Sequence, residues 1–217
     1  MKARQLFWLA ILYLAVVDNA LTVFGGAVQR RVLPSLEWNW LGKFASLGLA
    51  CLLVARSNWL SRNAGLQLRQ APGSMPLSMI CLGLCLVYGI FGGFISAPRP
   101  LSVETLLFEA TMPSLAEELA FRGIGLALLE RSFHADAMSG RLRFGRAALI
   151  SSLIFGLGHG LSFGRSGFHV EVAPVLATFV IGGVLALCRT RSRSLAWPIL
   201  CHSAVNLPIF AIAMMRA

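Results

Sequence analysis

The chain of 217 residues is 57% hydrophobic and only 13% charged, and its mean hydropathy is +0.73. Soluble globular domains carry about 25% charged residues, so this composition excludes an ordinary soluble domain and indicates an integral membrane protein. The net charge of +10 does not require nucleic acid as a partner, because the basic residues concentrate in the segments between apolar stretches. Such segments are attracted to anionic lipid head groups.

The apolar residues fall into about seven stretches that are long enough to cross roughly 30 Å of hydrocarbon as helices. In chain order these stretches cover approximately residues 6–28, 38–55, 76–95, 101–129, 147–163, 172–188 and 195–214. Lys43 interrupts the second stretch, which makes it the weakest. Pro113 lies within the fourth and predicts a kink or a break there, because proline lacks a backbone donor.

These stretches predict an all-α fold, a polytopic membrane helix bundle of about seven transmembrane helices, or eight if Pro113 divides the fourth. No soluble domain, linker or internal repeat is visible, so we expect a single membrane domain over residues 1–217. The basic start of the first stretch resembles a signal peptide, but the stretch is too long for one, which favours a retained helix. The predicted loops on the side of the N-terminus hold an excess of arginine, so the positive-inside rule predicts a cytoplasmic N-terminus.

Three ionisable side chains lie close together in the fourth stretch, at Glu117, Glu118 and Arg122. Each is disfavoured by roughly 2.5–3.5 kcal/mol at the centre of a membrane helix on insertion scales. Glu118 and Arg122 have the i, i+4 spacing of an ion pair, which a purely structural role would also explain. Glu117 points about 100 degrees away from Glu118 around the helix and has no such partner. Glu117 is therefore the candidate for chemistry.

Two later stretches each carry a histidine. His159 follows Phe155 by one turn in a glycine-rich segment, and Asn206 follows His202 on the same helix face. A carboxylate assisted by an imidazole can take a proton from water, and an amide with a second imidazole can stabilise an oxyanion. These residue types suit hydrolysis of an acyl bond. The sequence contains no His-Glu-x-x-His zinc motif and no Gly-x-Ser-x-Gly elbow.

Three segments, in this order, carry a resemblance to a known family. They are PSLAEELAFRG at residues 113–123, FxxxH at 155–159, and SLAWPI at 194–199 leading into HxxxN at 202–206. Together they resemble the CPBP family, which comprises the CAAX prenyl-protein endopeptidases and bacterial proteases of bacteriocin processing or immunity. The motif-bearing core is expected at about residues 101–214. Residues 1–100 carry no recognised motif and are expected to shape the substrate groove and the lipid contacts.

The resemblance implies an intramembrane endopeptidase that hydrolyses a peptide bond in a membrane-associated or exported protein or peptide. Glu117 would be the general base, with His159 assisting it. His202 and Asn206 would form the oxyanion site. The resemblance also implies a multi-pass protein of the bacterial inner, or cytoplasmic, membrane. Because the chain is shorter than eukaryotic CAAX enzymes, a peptide or the tail of an exported protein is favoured over a prenylated substrate.

Arg122 is expected to orient a partner, most simply Glu118. The family is described both as metalloproteases and as glutamic proteases. A zinc ion held by Glu117, His159 and His202 would be chemically reasonable. We favour the metal-free interpretation, with no cofactor.

Two other classes of function are consistent with the sequence. The first is a non-catalytic membrane binding or immunity protein that uses the same fold. The second is a small transporter in which Glu117 and the histidines relay protons. The protease is favoured because every proposed catalytic position is present, and because Asn206 has no evident place in a transporter.

Overall fold

The computed structural model of the chain describes residues 2–133, 144–164 and 167–217. The helices of these residues are, in chain order, α1 (Ala3–Leu12), α2 (Asp18–Val32), α3 (Trp40–Arg56), α4 (Asn58–Asn63), α5 (Met75–Ile95), α6 (Val103–Glu118), α7 (Leu126–Ser132), α8 (Arg146–Gly160), α9 (Val172–Ser192) and α10 (Ala196–Met215). Two π-helical segments, Tyr13–Val17 and Leu119–Gly125, join α1 to α2 and α6 to α7. Strands β1 (Leu161–Gly164) and β2 (Gly167–Val170) form an antiparallel hairpin. The predicted all-α membrane fold is confirmed, with this small hairpin added.

Each of the apolar stretches predicted from the sequence is helical over most of its length. By length and hydropathy, 4 helical stretches within the described residues can cross a membrane, namely Ala3–Val32, Met75–Ile95, Val172–Ser192 and Ala196–Met215. The remaining long helices are shorter or more charged: α3 has 17 residues and includes Lys43, and α8 has 15. The chain is a multi-pass membrane protein, and the count of about seven crossings stays a prediction.

Helix α5 has one face exposed to lipid and another face packed against the bundle. Its outer face exposes large apolar side chains, and Leu84 and Phe91 are 56% and 62% exposed. Its inner face carries small residues, and a Cβ atom added to Gly89 would lie 2.5 Å from the carbonyl oxygen of Val205 on α10. Small residues allow two membrane helices to approach closely in this way. The contact holds α10, the helix that carries His202, against the bundle.

The break predicted at Pro113 is absent, because α6 continues through it from Val103 to Glu118. The hydroxyl group of Ser203 on α10 donates to the carbonyl oxygen of Ala110, one turn before the proline, at 2.9 Å. The bond joins α6 to α10 beside the proline, and contacts with neighbouring helices make proline tolerable inside membrane helices. The division of the fourth stretch at Pro113 is therefore wrong, and the helical geometry changes only after Glu118, in the π-helical segment.

The fifth predicted stretch ends earlier than expected. The sequence predicts a helix to residue 163, whereas α8 ends at Gly160 and β1 follows. The amide of Glu171 donates to the carbonyl of Gly160 at 2.8 Å, and a Cβ atom on Gly160 would lie 2.5 Å from the carbonyl oxygen of Glu171. Glycine leaves room for this return of the chain. His159 therefore lies in the last turn of α8, beside the hairpin.

Candidate active site

The two adjacent glutamates at the end of α6 face different partners, as the sequence predicts. Glu118 is completely buried, and its Oε1 accepts a hydrogen bond from Nη1 of Arg122 at 2.9 Å. This is the predicted i, i+4 ion pair. Glu117 is 9% exposed and approaches side chains of α3, α8 and α10. The two carboxylates therefore lie in separate environments.

Glu118, Arg122 and His202 form a buried charged cluster. Nδ1 of His202 lies 2.8 Å from Oε1 of Glu118. Nη2 of Arg122 donates to the carbonyl oxygen of Gly182 on α9 at 3.1 Å, and the guanidinium carbon lies 4.1 Å from the centroid of the Phe155 ring. The cluster thus connects α6, α8, α9 and α10. It also fixes the orientation of the His202 ring, because the hydrogen atom on Nδ1 must point at the Glu118 carboxylate.

Arg122 belongs to the π-helical segment that follows Glu118. Within this segment the carbonyl oxygen of Phe121 accepts a hydrogen bond from the hydroxyl group of Ser151 on α8 at 3.3 Å. Single π turns inside α-helices often occur at functional sites. Here the segment binds the glutamate-bearing helix to α8, the helix that carries His159.

Glu117 lies between one ammonium group and two imidazole rings. Its Oε1 accepts a hydrogen bond from Nζ of Lys43 on α3 at 2.6 Å. Its Oε2 lies 3.8 Å from Nε2 of His159 and 4.0 Å from Nε2 of His202. Within the described part of the chain, the buried Oε2 has no hydrogen-bond partner. The fold thus brings together three of the residues singled out from sequence, and leaves one oxygen of Glu117 facing both histidines.

The hydrogen bonds of the two histidines indicate which ring nitrogen faces Glu117. Nδ1 of His159 lies 2.7 Å from the carbonyl oxygen of Phe155, and a carbonyl only accepts. Nδ1 therefore carries the proton, and Nε2 of neutral His159 has a free lone pair. The same reasoning applies to His202, whose Nδ1 donates to the Glu118 carboxylate. Each imidazole can accept a proton at Nε2 or, when protonated, donate from it.

Asn206, the fourth predicted residue, lies one turn beyond His202 on α10 and contacts a different carboxylate. Its Nδ2 donates to Oε2 of Glu109 at 3.0 Å. Glu109 lies on α6 about two turns before Glu117 and is 4% exposed. This bond orients the Asn206 amide but uses only one of the two hydrogens on Nδ2. The second hydrogen stays available to another acceptor.

Two charged residues next to the predicted site, Lys43 and Glu109, are not among the predicted site residues. Lys43 contacts Glu117, and Glu109 contacts Asn206. The signal for Lys43 in the sequence is its position as a lone charge inside an apolar stretch, which by itself only weakens the prediction of that span. The signal for Glu109 is its spacing from Glu117: it lies two turns earlier on the same helix, which places both residues near one face.

The arrangement of Glu117, His159 and His202 in this structure is not that of a zinc site. No group of three or more His, Cys, Asp or Glu side chains within residues 2–133, 144–164 and 167–217 is placed to hold a metal ion. In addition, the Lys43 ammonium lies 2.6 Å from Oε1 of Glu117, and its charge opposes a dication on the same carboxylate. The absence of a cofactor stays a prediction.

A model of one protein family matches half of the chain. The family is described as type II CAAX prenyl endopeptidase Rce1-like, and the match covers residues 99–208. No curated protein and no solved structure matches the chain. The chain belongs to the Rce1-like family of type II CAAX prenyl endopeptidases, which confirms the resemblance to CPBP proteases. Membership implies an intramembrane protease that acts on a protein or peptide.

Proposed function

We propose that the chain is a glutamic endopeptidase of the bacterial cytoplasmic membrane, which hydrolyses a peptide bond in a membrane-associated or exported protein or peptide. The observation that supports this most is the position of Glu117 Oε2, 3.8 Å and 4.0 Å from Nε2 of His159 and of His202. Separations of this size allow one water molecule to bond to the carboxylate and to an imidazole nitrogen at once, at about 2.8 Å from each. The N-terminus is proposed to be cytoplasmic, and residues 1–217 are proposed to form one domain.

In the first step Glu117 acts as the general base. Oε2 accepts a proton from water while the water oxygen bonds to the carbonyl carbon of the substrate. Nε2 of His159 accepts a hydrogen bond from the same water and so orients it. The carbonyl electron pair moves to oxygen and gives a tetrahedral oxyanion. Proton transfer by a positioned side chain contributes about 10²–10⁴-fold to such a rate.

The oxyanion is stabilised by His202 and Asn206. A protonated His202 donates from Nε2, while the carboxylate of Glu118 stabilises the imidazolium through Nδ1. Asn206 donates the Nδ2 hydrogen that Glu109 does not use. Each donor of this kind lowers the activation free energy by about 2.7–4 kcal/mol.

The second step breaks the carbon–nitrogen bond. The electron pair of the oxyanion re-forms the carbonyl, the bond to nitrogen breaks, and the leaving nitrogen takes the proton from the Glu117 carboxyl group. The products are a carboxylic acid and an amine, and Glu117 returns to its ionised form. The reaction consumes only water, and no metal ion or cofactor takes part. The ammonium beside Glu117 supports this metal-free proposal.

The proposal is tested by comparing protein termini in cells. Terminal-peptide mass spectrometry would be applied to membrane and secreted proteins from cells that express the wild type, Glu117→Gln or Glu171→Gln at matched abundance. Glu171 is an exposed carboxylate at the start of α9 and serves as the control. We expect a cut terminus that disappears in Glu117→Gln and persists in Glu171→Gln. An unchanged set of termini in Glu117→Gln would overturn the mechanism and favour a binding or immunity role.

Metal dependence is tested with the purified protein. A peptide that spans the cut found in cells would be incubated with the wild type, with and without prior dialysis against 1,10-phenanthroline. We expect the same rate in both samples. Loss of cleavage after dialysis, with recovery when zinc is added, would contradict the metal-free proposal while leaving the protease assignment intact.

A further inference from the structure

Lys43 is a charged residue near the start of the apolar helix α3. The sequence has two lysines, Lys2 at the exposed N-terminus and Lys43 in α3. An ammonium group among the apolar residues of a membrane protein is unfavourable unless it is paired. Lys43 also lies outside residues 99–208, the part that matches the family. Its role must therefore be inferred from its contacts.

The start of α3 is held in a defined position on α2. Asn39 caps α3 by accepting a hydrogen bond from the amide of Gly42 at 3.0 Å, and its Nδ2 donates to the carbonyl of Thr22 on α2 at 2.7 Å. The two backbones touch at Gly25 and Gly42, where a Cβ atom on Gly25 would overlap Cα of Gly42. Lys43 follows Gly42 directly, so these contacts determine where its side chain begins.

From this position the ammonium reaches one oxygen of Glu117. Nζ and Oε1 are 2.6 Å apart, and the two side chains are 15% and 12% exposed. Because Lys43 binds Oε1, the other oxygen, Oε2, is the one that faces the histidines. The other charged or titratable groups around this pair are Asp18 of α2, Glu109 and Glu118 of α6, Arg122, His159 of α8 and His202 of α10.

We infer that Lys43 is a positioning residue for hydrolysis, which holds Oε1 of Glu117 so that Oε2 is directed at the water between the carboxylate and the imidazoles. The inference rests on the proposed role of Glu117 as general base. A glutamate side chain has several rotatable bonds, and a short charge-assisted hydrogen bond to one oxygen selects one orientation. It also stabilises the ionised form that a base requires.

Two other roles for Lys43 predict different kinetics. A purely structural link between α3 and α6 would affect folding and leave the turnover of folded protein unchanged. An anchor for the free carboxylate of a substrate would affect KM and leave kcat unchanged. A positioning role predicts a loss of kcat in folded protein, with KM nearly unchanged and with partial rescue by another cation.

The experiment compares Lys43→Met, Lys43→Arg and the control Lys2→Met, each purified in detergent beside the wild type and Glu117→Gln. The probe is a fluorescence-quenched peptide that spans the cut identified in cells. Thermal unfolding followed by circular dichroism shows which variants are folded. We expect Lys2→Met to match the wild type. We expect Lys43→Met to lose about 10²-fold in kcat, the loss typical of a misplaced reacting group, with KM changed by less than about three-fold.

Lys43→Arg decides the outcome if Lys43→Met is poorly folded. Arginine keeps the charge and the hydrogen bond in a different shape, so we expect it to recover at least about ten-fold in kcat over methionine. A raised KM with unchanged kcat, a folded Lys43→Met with normal kcat, or an arginine variant that folds but recovers no activity would each overturn the inference. If Glu117→Gln is inactive while Lys43→Met is fully active, only this inference fails. If both variants are fully active, the proposed function fails as well.

Discussion

Replacing Arg122 by methionine should destabilise the protein strongly, because it leaves a buried carboxylate without its main partner. Arg122 and Glu118 are both completely buried and 2.9 Å apart. Removing one member of a buried ion pair costs about 3–5 kcal/mol. The lost cation–π contact with Phe155 adds about 0.5–2 kcal/mol, whereas the hydrogen bond from His202 to Glu118 remains and offsets part of the loss. We therefore expect the free energy of unfolding to fall by about 3–5 kcal/mol.

The assay is reversible unfolding in mixed detergent and dodecyl sulfate micelles, followed by circular dichroism. The control is Glu37→Gln, which removes one partner of the Arg99–Glu37 pair, whose side chains are 37% and 44% exposed. An exposed pair of this kind contributes about 0–1 kcal/mol. The double variant Glu118→Gln with Arg122→Met leaves neither charge unpaired and should be more stable than Arg122→Met alone. A loss in Arg122→Met no larger than that in Glu37→Gln would show that the buried Glu118 carboxylate does not need Arg122 for stability.

Three further predictions concern packing and the Asn206 amide. Gly42→Ala places a Cβ atom 2.5 Å from the carbonyl oxygen of Thr22, so the free energy of unfolding should fall by about 1–3 kcal/mol. In the control Gly48→Ala, on the same helix, the added Cβ atom meets nothing within 4 Å, and the variant should be neutral or slightly stabilising in the same assay. Ser203→Ala removes the hydroxyl that bonds Ala110 and Ser114 across α6 and α10, and should cost about 1 kcal/mol in that assay. Glu109→Gln keeps an acceptor for Asn206 and should retain most of kcat. Glu109→Leu leaves the Asn206 amide without this acceptor, and kcat should fall at least about ten-fold, which is part of the loss caused by removing an oxyanion donor. Equal activity of the two variants would show that Glu109 does not orient Asn206.

The helices of this protein could be predicted from sequence because hydropathy and stretch length alone determine where apolar helices form in a membrane protein. The early end of α8 at Gly160 could not, since it depends on close contact between Gly160 and Glu171 after the chain returns. Helix α6 also continues through Pro113, where the hydroxyl group of Ser203 joins it to α10. Contacts between residues so far apart in sequence are not contained in a local pattern.

The same distinction applies to the site. The contact between Glu118 and Arg122 could be predicted because the two residues are four apart on one helix. Lys43 and Glu117 are 74 residues apart in sequence, and Glu109 and Asn206 are 97 apart. Their pairing depends on how α3 and α10 pack on α6, which only the fold determines. The family resemblance implies roles for Glu117 and Asn206, but not for Lys43, which bonds Glu117, or for Glu109, which bonds Asn206.

The most direct test of the account is the single-turnover rate of peptide cleavage by purified Glu117→Gln, measured beside the wild type and Glu171→Gln with excess protein over substrate. Glutamine keeps the size of the side chain and removes its ability to take a proton. If Glu117 is the general base, the rate falls at least about 10²-fold below that of the wild type in a variant that remains folded, and the rate in Glu171→Gln is unchanged. A folded Glu117→Gln that cleaves within a few-fold of the wild-type rate would contradict this role of Glu117.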